Sequence, residues 1–263
     1  NSAHSVAGIY DPEQLVSFQG RLFLLGRAAA RGTGIKQLFQ VEIDNGNAYA
    51  SLVPGSYNAT ALMAAADRLF FVEQHNSTIE RLNSLDSSFV VTTVNAFYKD
   101  PSGIGITQLT AGSNHLYFTA PYDSSPTAKR VIWETDGTAY STAGPSFYDP
   151  QLMGELGDEC LFWFAPDTGG SHVIYCWDSD SGPVSFYNSS GYFDPPEGHR
   201  ISGRPAGIEL AGWFYFTSRS GRLQRTNGVA VEDLFSDPNY IVRPESLATL
   251  SGKVVFMASR DDF

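Results

Sequence analysis

Arg68-Leu69-Phe70-Phe71 decides the fold, because its apolar core is one member of a series. The series runs Leu22-Phe23-Leu24, Leu69-Phe70-Phe71, Leu116-Tyr117-Phe118, Leu161-Phe162-Trp163, Phe214-Tyr215-Phe216 and Val254-Val255-Phe256. Successive copies are 47, 47, 45, 53 and 40 residues apart, a period that suits four strands and their turns. Six copies in 263 residues predict one all-β domain, residues 1–263, folded as a six-bladed β-propeller of four-stranded antiparallel blades. Its aromatic second strands are expected near 22–25, 69–72, 116–119, 161–164, 214–217 and 254–257.

The residues around each copy fit the same unit. Gly20, Asp67, Asn114, the Gly157-Asp158-Glu159 stretch, Gly212 and Gly252 read as the tight turn from the innermost to the second strand. Ser17, Ala64, Ala111, Gly154 and Thr249 lie just upstream, small enough for a crowded axis. Asp44-Asn45-Gly46, Asp86-Ser87-Ser88, Asp136-Gly137, Asp180-Ser181-Gly182 and Asn227-Gly228 mark the hairpin between third and fourth strands, since Asp, Asn and Gly tolerate positive φ. An aromatic-to-Asp-Pro junction then recurs at Tyr10-Asp11-Pro12, Tyr98-Lys99-Asp100-Pro101, Tyr148-Asp149-Pro150, Phe193-Asp194-Pro195 and Phe235-Ser236-Asp237-Pro238. Its first instance precedes every aromatic strand. It therefore predicts the end of a fourth strand at the N-terminus, completing a last blade begun at the C-terminus, so that the two ends share one blade and close the ring.

Hydrophobic residues make up 42% of the chain and charged residues 17%, enough apolar material for a packed core. The formal net charge of −11 repels phosphate backbones and argues against a nucleic-acid partner. No apolar run approaches the roughly 20 residues a membrane-spanning helix needs. The chain opens on Asn1 rather than Met, which predicts a processed or excised piece. Cys160 and Cys176 are symmetric about Thr168, so a hairpin turning there predicts a disulfide, with two buried thiols as the alternative. The sequons Asn58-Ala-Thr60, Asn76-Ser-Thr78 and Asn188-Ser-Ser190 are glycosylation candidates that fit a secreted glycoprotein.

The segment Val131-Ile132-Trp133-Glu134-Thr135-Asp136-Gly137-Thr138, with Leu109-Thr110 and Leu116-Tyr117-Phe118-Thr119-Ala120 before it, resembles the repeat of the ELWxxDGT (hyalin-like) family. That resemblance implies a β-propeller and a secreted setting, and no defined enzymatic activity. A second unit, Arg68-Leu69-Phe70-Phe71 with Ile79-Glu80-Arg81-Leu82 and Leu85-Asp86-Ser87, looks like the YWTD repeat of lipoprotein-receptor propellers, which are six-bladed and bind protein ligands. Elsewhere the pattern departs, as at Asn227-Gly228 and Trp177-Asp178-Ser179-Asp180, so the resemblance carries the fold and not an activity.

His4, His75, His115, His172 and His199 form no spaced metal-binding pair, and no nucleophile elbow, phosphate loop or dinucleotide fingerprint is present. No catalytic residues are assigned. Asp178-x-Asp180-x-Gly182 has the carboxylate spacing of part of a calcium loop, but recurring acidic turns favour a plain hairpin, so no metal or cofactor is assigned and calcium is the one candidate cation. The junctions should emerge on one rim of the disc. There Tyr10, Tyr98, Tyr148 and Phe193, with Asp11, Asp100, Asp149 and Asp194, would form repeated shallow sites where aromatic faces stack on sugars and carboxylates accept hydroxyl hydrogen bonds. The alternative is that they shape turns and cover seams. Trp133 and Trp177, on third strands, are secondary ligand-binding candidates.

The expected function is an extracellular, non-catalytic binding or scaffold module presenting loops to a glycan or protein. The first alternative is a hydrolase or lactonase with a central-channel site built from Glu13, Gln14, Gln108, Gln151, Glu155, Glu209 and Glu245. The second is a structural subunit that self-assembles into an extracellular filament.

Overall fold

Alternation along the second strands is what makes the molecule. The computed structural model describes residues 9–28, 34–44, 47–125, 128–138, 142–146, 150–164, 173–177, 182–185, 207–218, 222–235, 239–242 and 247–260. The described residues are all-β and contain no helix. Blade one is β1 (Tyr10–Phe18), β2 (Arg21–Arg27), β3 (Lys36–Asp44) and β4 (Asn47–Tyr57), and blade two is β5 (Ala59–Ala65), β6 (Arg68–Gln74), β7 (Ile79–Leu85) and β8 (Val91–Tyr98). Blade three is β9 (Thr107–Ala111), β10 (Leu116–Pro121), β11 (Arg130–Thr135) and β12 (Thr142–Ser146). Blade four is β13 (Gln151–Leu156), β14 (Glu159–Phe164), β15 (Val173–Trp177) and β16 (Val184–Ser185), and blade five is β17 (Gly207–Leu210), β18 (Trp213–Thr217), β19 (Leu223–Thr226) and β20 (Val231–Phe235). Each is an antiparallel sheet with its strands in chain order. The last strands, β21 (Tyr240–Val242), β22 (Ala248–Leu250), β23 (Lys253–Val255) and β24 (Ala258–Arg260), pair as β21 with β24 and β22 with β23.

Innermost strands pack in sequence, β1 on β5, β5 on β9, β9 on β13, β13 on β17 and β17 on β22, so the last strands continue the same array. Side chains along a strand point to opposite faces in turn, and each second strand uses this to fill two seams. Leu69 and Phe71 enter the cluster with Phe18, Phe23, Leu25 and Leu38 of blade one, while Phe70 and Val72 enter the cluster with Leu116, Phe118 and Ala120 of blade three. Tyr117, between Leu116 and Phe118, turns the other way and packs with Leu152, Phe162 and Trp177 of blade four. Leu161 faces Phe214 and Phe216 of blade five. The triplets of blades one to five thus supply the core, whereas Val255 of the last triplet is exposed.

Seams this tight dictate glycines. A Cβ on Gly154 would run into the Phe214 ring, and one on Gly144 would lie 2.7 Å from the Trp177 ring. Glycine is favoured for a different reason at the first hairpin turn. Gln19-Gly20, Ala211-Gly212 and Ser251-Gly252 all have positive φ at both residues, the two-residue turn whose twist matches its strands. The last strands thus share the turn of the preceding units.

Two expectations are corrected. Tyr10-Asp11-Pro12 opens β1, with Tyr10 opposite Arg27 of β2, and is not the end of a fourth strand. Among the described residues no strand joins the two ends, because β1 lies in a sheet of β1 to β4 and the last strands pair only with one another. The motif sits on the boundary between a fourth strand and the next innermost one, and at the N-terminus it belongs to the innermost strand. The disulfide is absent: both cysteines are free and buried. Cys160 pairs with Trp177 and Leu161 with Cys176, one residue away from the symmetric register, and a one-residue slip moves a side chain to the other face. Cys160 accordingly packs toward blade three and Cys176 toward blade five. Burial pushes both thiols above their ordinary range.

Gly154→Ala should lower stability by about 1–3 kcal/mol through overpacking, and Gly154→Val by more. Gly20→Asn, with nothing near its Cβ and a residue that tolerates positive φ, should stay within about 0.5 kcal/mol; urea midpoints for the three variants check this ordering. Neither thiol should react with Ellman's reagent in the native protein, and both should react once it is unfolded without reductant.

Candidate functional site

The junction between blades two and three is built from a carboxylate that points inward. Asp100 accepts hydrogen bonds from the Ser102 hydroxyl and from the amides of Ser102 and Ile104, at 2.9 and 3.0 Å. Its second oxygen lies 3.4 Å from the Arg130 guanidinium. Partial burial works to raise this carboxyl, but the Ser102 hydroxyl, the two amides and Arg130 outweigh it and hold it below 3.8. Arg130 also donates to the carbonyls of Gly105 and Thr119, at 2.6 and 3.1 Å, and to the Thr107 hydroxyl.

A buried ion pair secures the other side of the loop. Glu80 on β7 accepts the Ile106 amide at 2.7 Å, and its other oxygen is 3.5 Å from the Lys99 ammonium. A Cβ on Gly105 would collide with the Glu80 carboxylate. Residues 99 to 107 are therefore held from blade two by Glu80 and from blade three by Arg130. A buried pair of this kind is destabilising to break from one side.

Asp100 is thus part of the scaffold, whereas Tyr98 is 47% exposed. At the first junction Tyr10 is 44% exposed and Asp11 lies 3.6 Å from Arg27. Neither junction brings its aromatic ring and a free carboxylate together as one shallow site. Tyr148, Asp149, Phe193 and Asp194 lie outside the described residues, as do Asp178, Asp180 and the Asn188 sequon. Among the described residues, no cluster of three His, Cys, Asp or Glu side chains has metal-holding geometry.

Inner-strand polar groups bridge blades. Gln14 and Gln108, both at positive φ beside a bulge, occupy corresponding places in blades one and three. Gln14 accepts the Leu62 amide of β5 at 2.7 Å, and Gln108 accepts the Leu152 amide of β13 at 2.8 Å while donating to the Pro150 carbonyl. Glu155 on β13 reaches back to the turn of blade three, accepting from the Ser113 amide and hydroxyl and, at 3.5 Å, from the Tyr117 hydroxyl. Burial pushes the Tyr117 phenol upward, assisted by Cys160, Glu155 and Glu134. Glu13 pairs with Lys36 at 2.6 Å. Of the channel candidates, Glu209 is an exposed carboxylate, Gln151 is buried, and Glu245 lies outside the described residues.

Trp177 is buried, edge-on to Tyr117, and takes no part in an exposed site; its place on a third strand is also a place in a seam. Trp133 is half-buried, stacked on Phe118. Asn58 donates its side-chain amide to the Gln74 carbonyl at 2.9 Å, whereas Asn76 stands exposed in the β6–β7 turn. Glu80, Glu134 and Arg130 were absent from the sequence-based site: each occupies a strand position that reads as an ordinary solvated charge. His115, half-buried, lies 3.3 Å from Glu134.

No protein-family profile and no curated protein matches this chain. Solved structures do. The β-propeller domain of the Trilobed protease from Pyrococcus furiosus, described as having an open velcro topology, matches with a TM-score of 0.59 at 12% identity over 96% of this chain and 80% of that one. The acylaminoacyl peptidase of Pyrococcus horikoshii matches with a TM-score of 0.56 at 12% identity over 95% of this chain and 43% of that one. A puromycin hydrolase matches with a TM-score of 0.52 at 10% identity over 98% of this chain and 54% of that one. The chain thus spans about half the length of these last two enzymes. At such identities the likeness is one of fold, and this chain has the fold of a β-propeller.

Proposed function

We propose that the chain is a six-unit propeller that acts as a non-catalytic scaffold beside hydrolytic chemistry, a rigid disc whose junction loops meet a protein or glycan ligand. The observation that carries this reading is the use of the polar inner-strand groups: Gln14, Gln108 and Glu155 bind the backbone of a neighbouring blade instead of pointing together into a channel. The similar solved structures support the hydrolase setting, since one of them is a propeller domain of a protease and the others are a peptidase and a hydrolase. An extracellular setting belongs to the same proposal and has the exposed Asn76 sequon in its favour.

The purified chain should release no product from acyl-peptide anilides or aryl esters above the buffer rate, while retaining ligands from a peptide-display library or a glycan array. Turnover that Glu209→Gln abolishes would overturn the scaffold reading in favour of a channel enzyme. If the junction loop is a support, Asp100 should matter to stability and not to ligand choice. Its folded pKa lies below 3.8, so its contribution is complete above that value and is lost as pH falls through the lowered one. Stability of the native chain should therefore decline as pH falls through and below the ordinary carboxylate range. Asp100→Asn should flatten part of that decline and cost about 1–3 kcal/mol near neutrality, measured by urea unfolding across the pH range.

A further inference from the structure

A cavity of about 320 Å³ opens on the hairpin between β10 and β11, lined by Tyr122, Asp123, Ser125, Ala128, Lys129, Val131 and Gly144. Its volume is at the lower end of the range of about 300–1,000 Å³ typical of small-ligand sites. Tyr122 is 63% exposed, yet its ring is not adrift. It lies over Trp133, centroids 6.4 Å apart and planes 21° apart; Trp133 lies over Phe118 at 6.5 Å and 11°, and Phe97 meets Trp133 edge-on at 5.0 Å. The Trp133 indole N–H donates to the Ala120 carbonyl at 3.4 Å, and the Tyr122 amide donates to the Lys129 carbonyl at 3.1 Å. A stack running from buried Phe118 through half-buried Trp133 thus supports an exposed aromatic face.

The rest of the lining sets the ligand chemistry. One carboxylate, Asp123, and one ammonium, Lys129, make its formal charge zero, which favours a neutral ligand over a phosphate or a cation. Asp123 accepts the Ser125 amide at 2.8 Å with one oxygen, which anchors the carboxylate within the same lining as the ring. The floor is Val131 and Gly144, and glycine is enforced at 144 by the Trp177 ring behind it. A flat aromatic face flanked by an acceptor and a donor matches a pyranose ring, whose C–H face stacks while its hydroxyls donate to the carboxylate and accept from the ammonium.

We propose that this hairpin cavity binds a neutral sugar residue of a glycan, with Tyr122 as the stacking platform and Asp123 and Lys129 as the hydroxyl partners. The site is separate from the junction loops and does not depend on the reading of the chain as a scaffold beside a hydrolase. It also supplies what neither described junction does, an exposed aromatic ring and an anchored carboxylate lining one cavity.

The test is titration of the native chain with neutral oligosaccharides (cello-, xylo-, manno- and galacto-oligomers), followed by tryptophan fluorescence, because Trp133 lies directly beneath Tyr122. At least one series should bind. Tyr122→Ala should weaken it about tenfold with an unchanged urea midpoint, Asp123→Asn should weaken it less, and Tyr49→Ala, another exposed tyrosine, should leave it unaltered. Binding by none of the four series, binding that Tyr122→Ala does not change, or retention of extended peptides in place of sugars would each overturn the proposal.

Discussion

Among the described residues no blade forms a hydrogen-bonded sheet with its neighbour, so the array depends on packing one sheet face against the next. That constraint explains most of what the chain contains. Each second strand must be apolar on consecutive residues, because both of its faces are interior, and Phe70 and Phe71 serve opposite seams from adjacent positions. The innermost strands must stay small where rings cross them, as Gly154 and Gly207 do beneath Phe214. The same requirement appears as fully buried Tyr117, Phe118, Phe162 and Phe216.

Packed faces carry no register of their own, and polar side chains provide it. The turn from third to fourth strand docks on the preceding blade. In blade three Gly137 seats on the Arg68 side chain and its carbonyl accepts the Ser84 hydroxyl at 2.8 Å. In blade two the corresponding turn offers Phe89, over which Arg21 lies at 4.0 Å. In blade five Gly228 meets Leu156 and Cys176. The Thr-Asp-Gly and Thr-Asn-Gly turns are closed alike, the Thr135 and Thr226 hydroxyls accepting the Gly137 and Gly228 amides at 3.0 and 3.2 Å. Asp136, worked upward by partial burial, is held below 3.8 by Thr138, Arg68 and His115. Buried polar groups must be satisfied, and here satisfying them across a seam also aligns the blades. Among the described residues Gln14, Gln108, Glu155 and Arg68 are thereby drawn into the seams.

The repeat was legible because its signals are periodic. The apolar triplets of blades one to five and the turn residues after each first strand carry a spacing that survives substitution of individual residues. What depends on a single residue of register or on depth was not legible. Symmetry about Thr168 put Cys160 and Cys176 opposite each other, but the strands pair one residue off and send them to different seams. Trp133 and Trp177 both lie on third strands, but Trp133 stands opposite Phe118 and Trp177 opposite Cys160 at the strand's end, and one is half-covered while the other is buried in the seam with Tyr117. Asp100 and Tyr98 belong to one motif, yet the loop's own amides turn the carboxylate inward while the ring stays out. Tyr122 belongs to no repeat, so a search for recurring residues passes it over, and its part becomes visible only through the stack beneath it.

Where the candidate sites lie is set by how such an array distributes its stability. Each unit is held by its own fold and by its contacts with nearest neighbours, so a blade with a seam on both faces is better supported than one at an end. The last strands span three residues each, leave Leu250, Val255 and Met257 exposed, and pack through β22 on β17 of blade five. Blades two and three are flanked on both sides, and the loop from Lys99 to Thr107 is tied to both at once by Glu80 and Arg130. The Tyr122 hairpin rises from the same blade three, above Phe97 of blade two and Phe118 of its own. Binding groups need supports whose own positions are fixed, and loops carry function only when a rigid frame presents them. The interior of the array, where second strands fill two seams at once, is the part of this molecule that meets that condition.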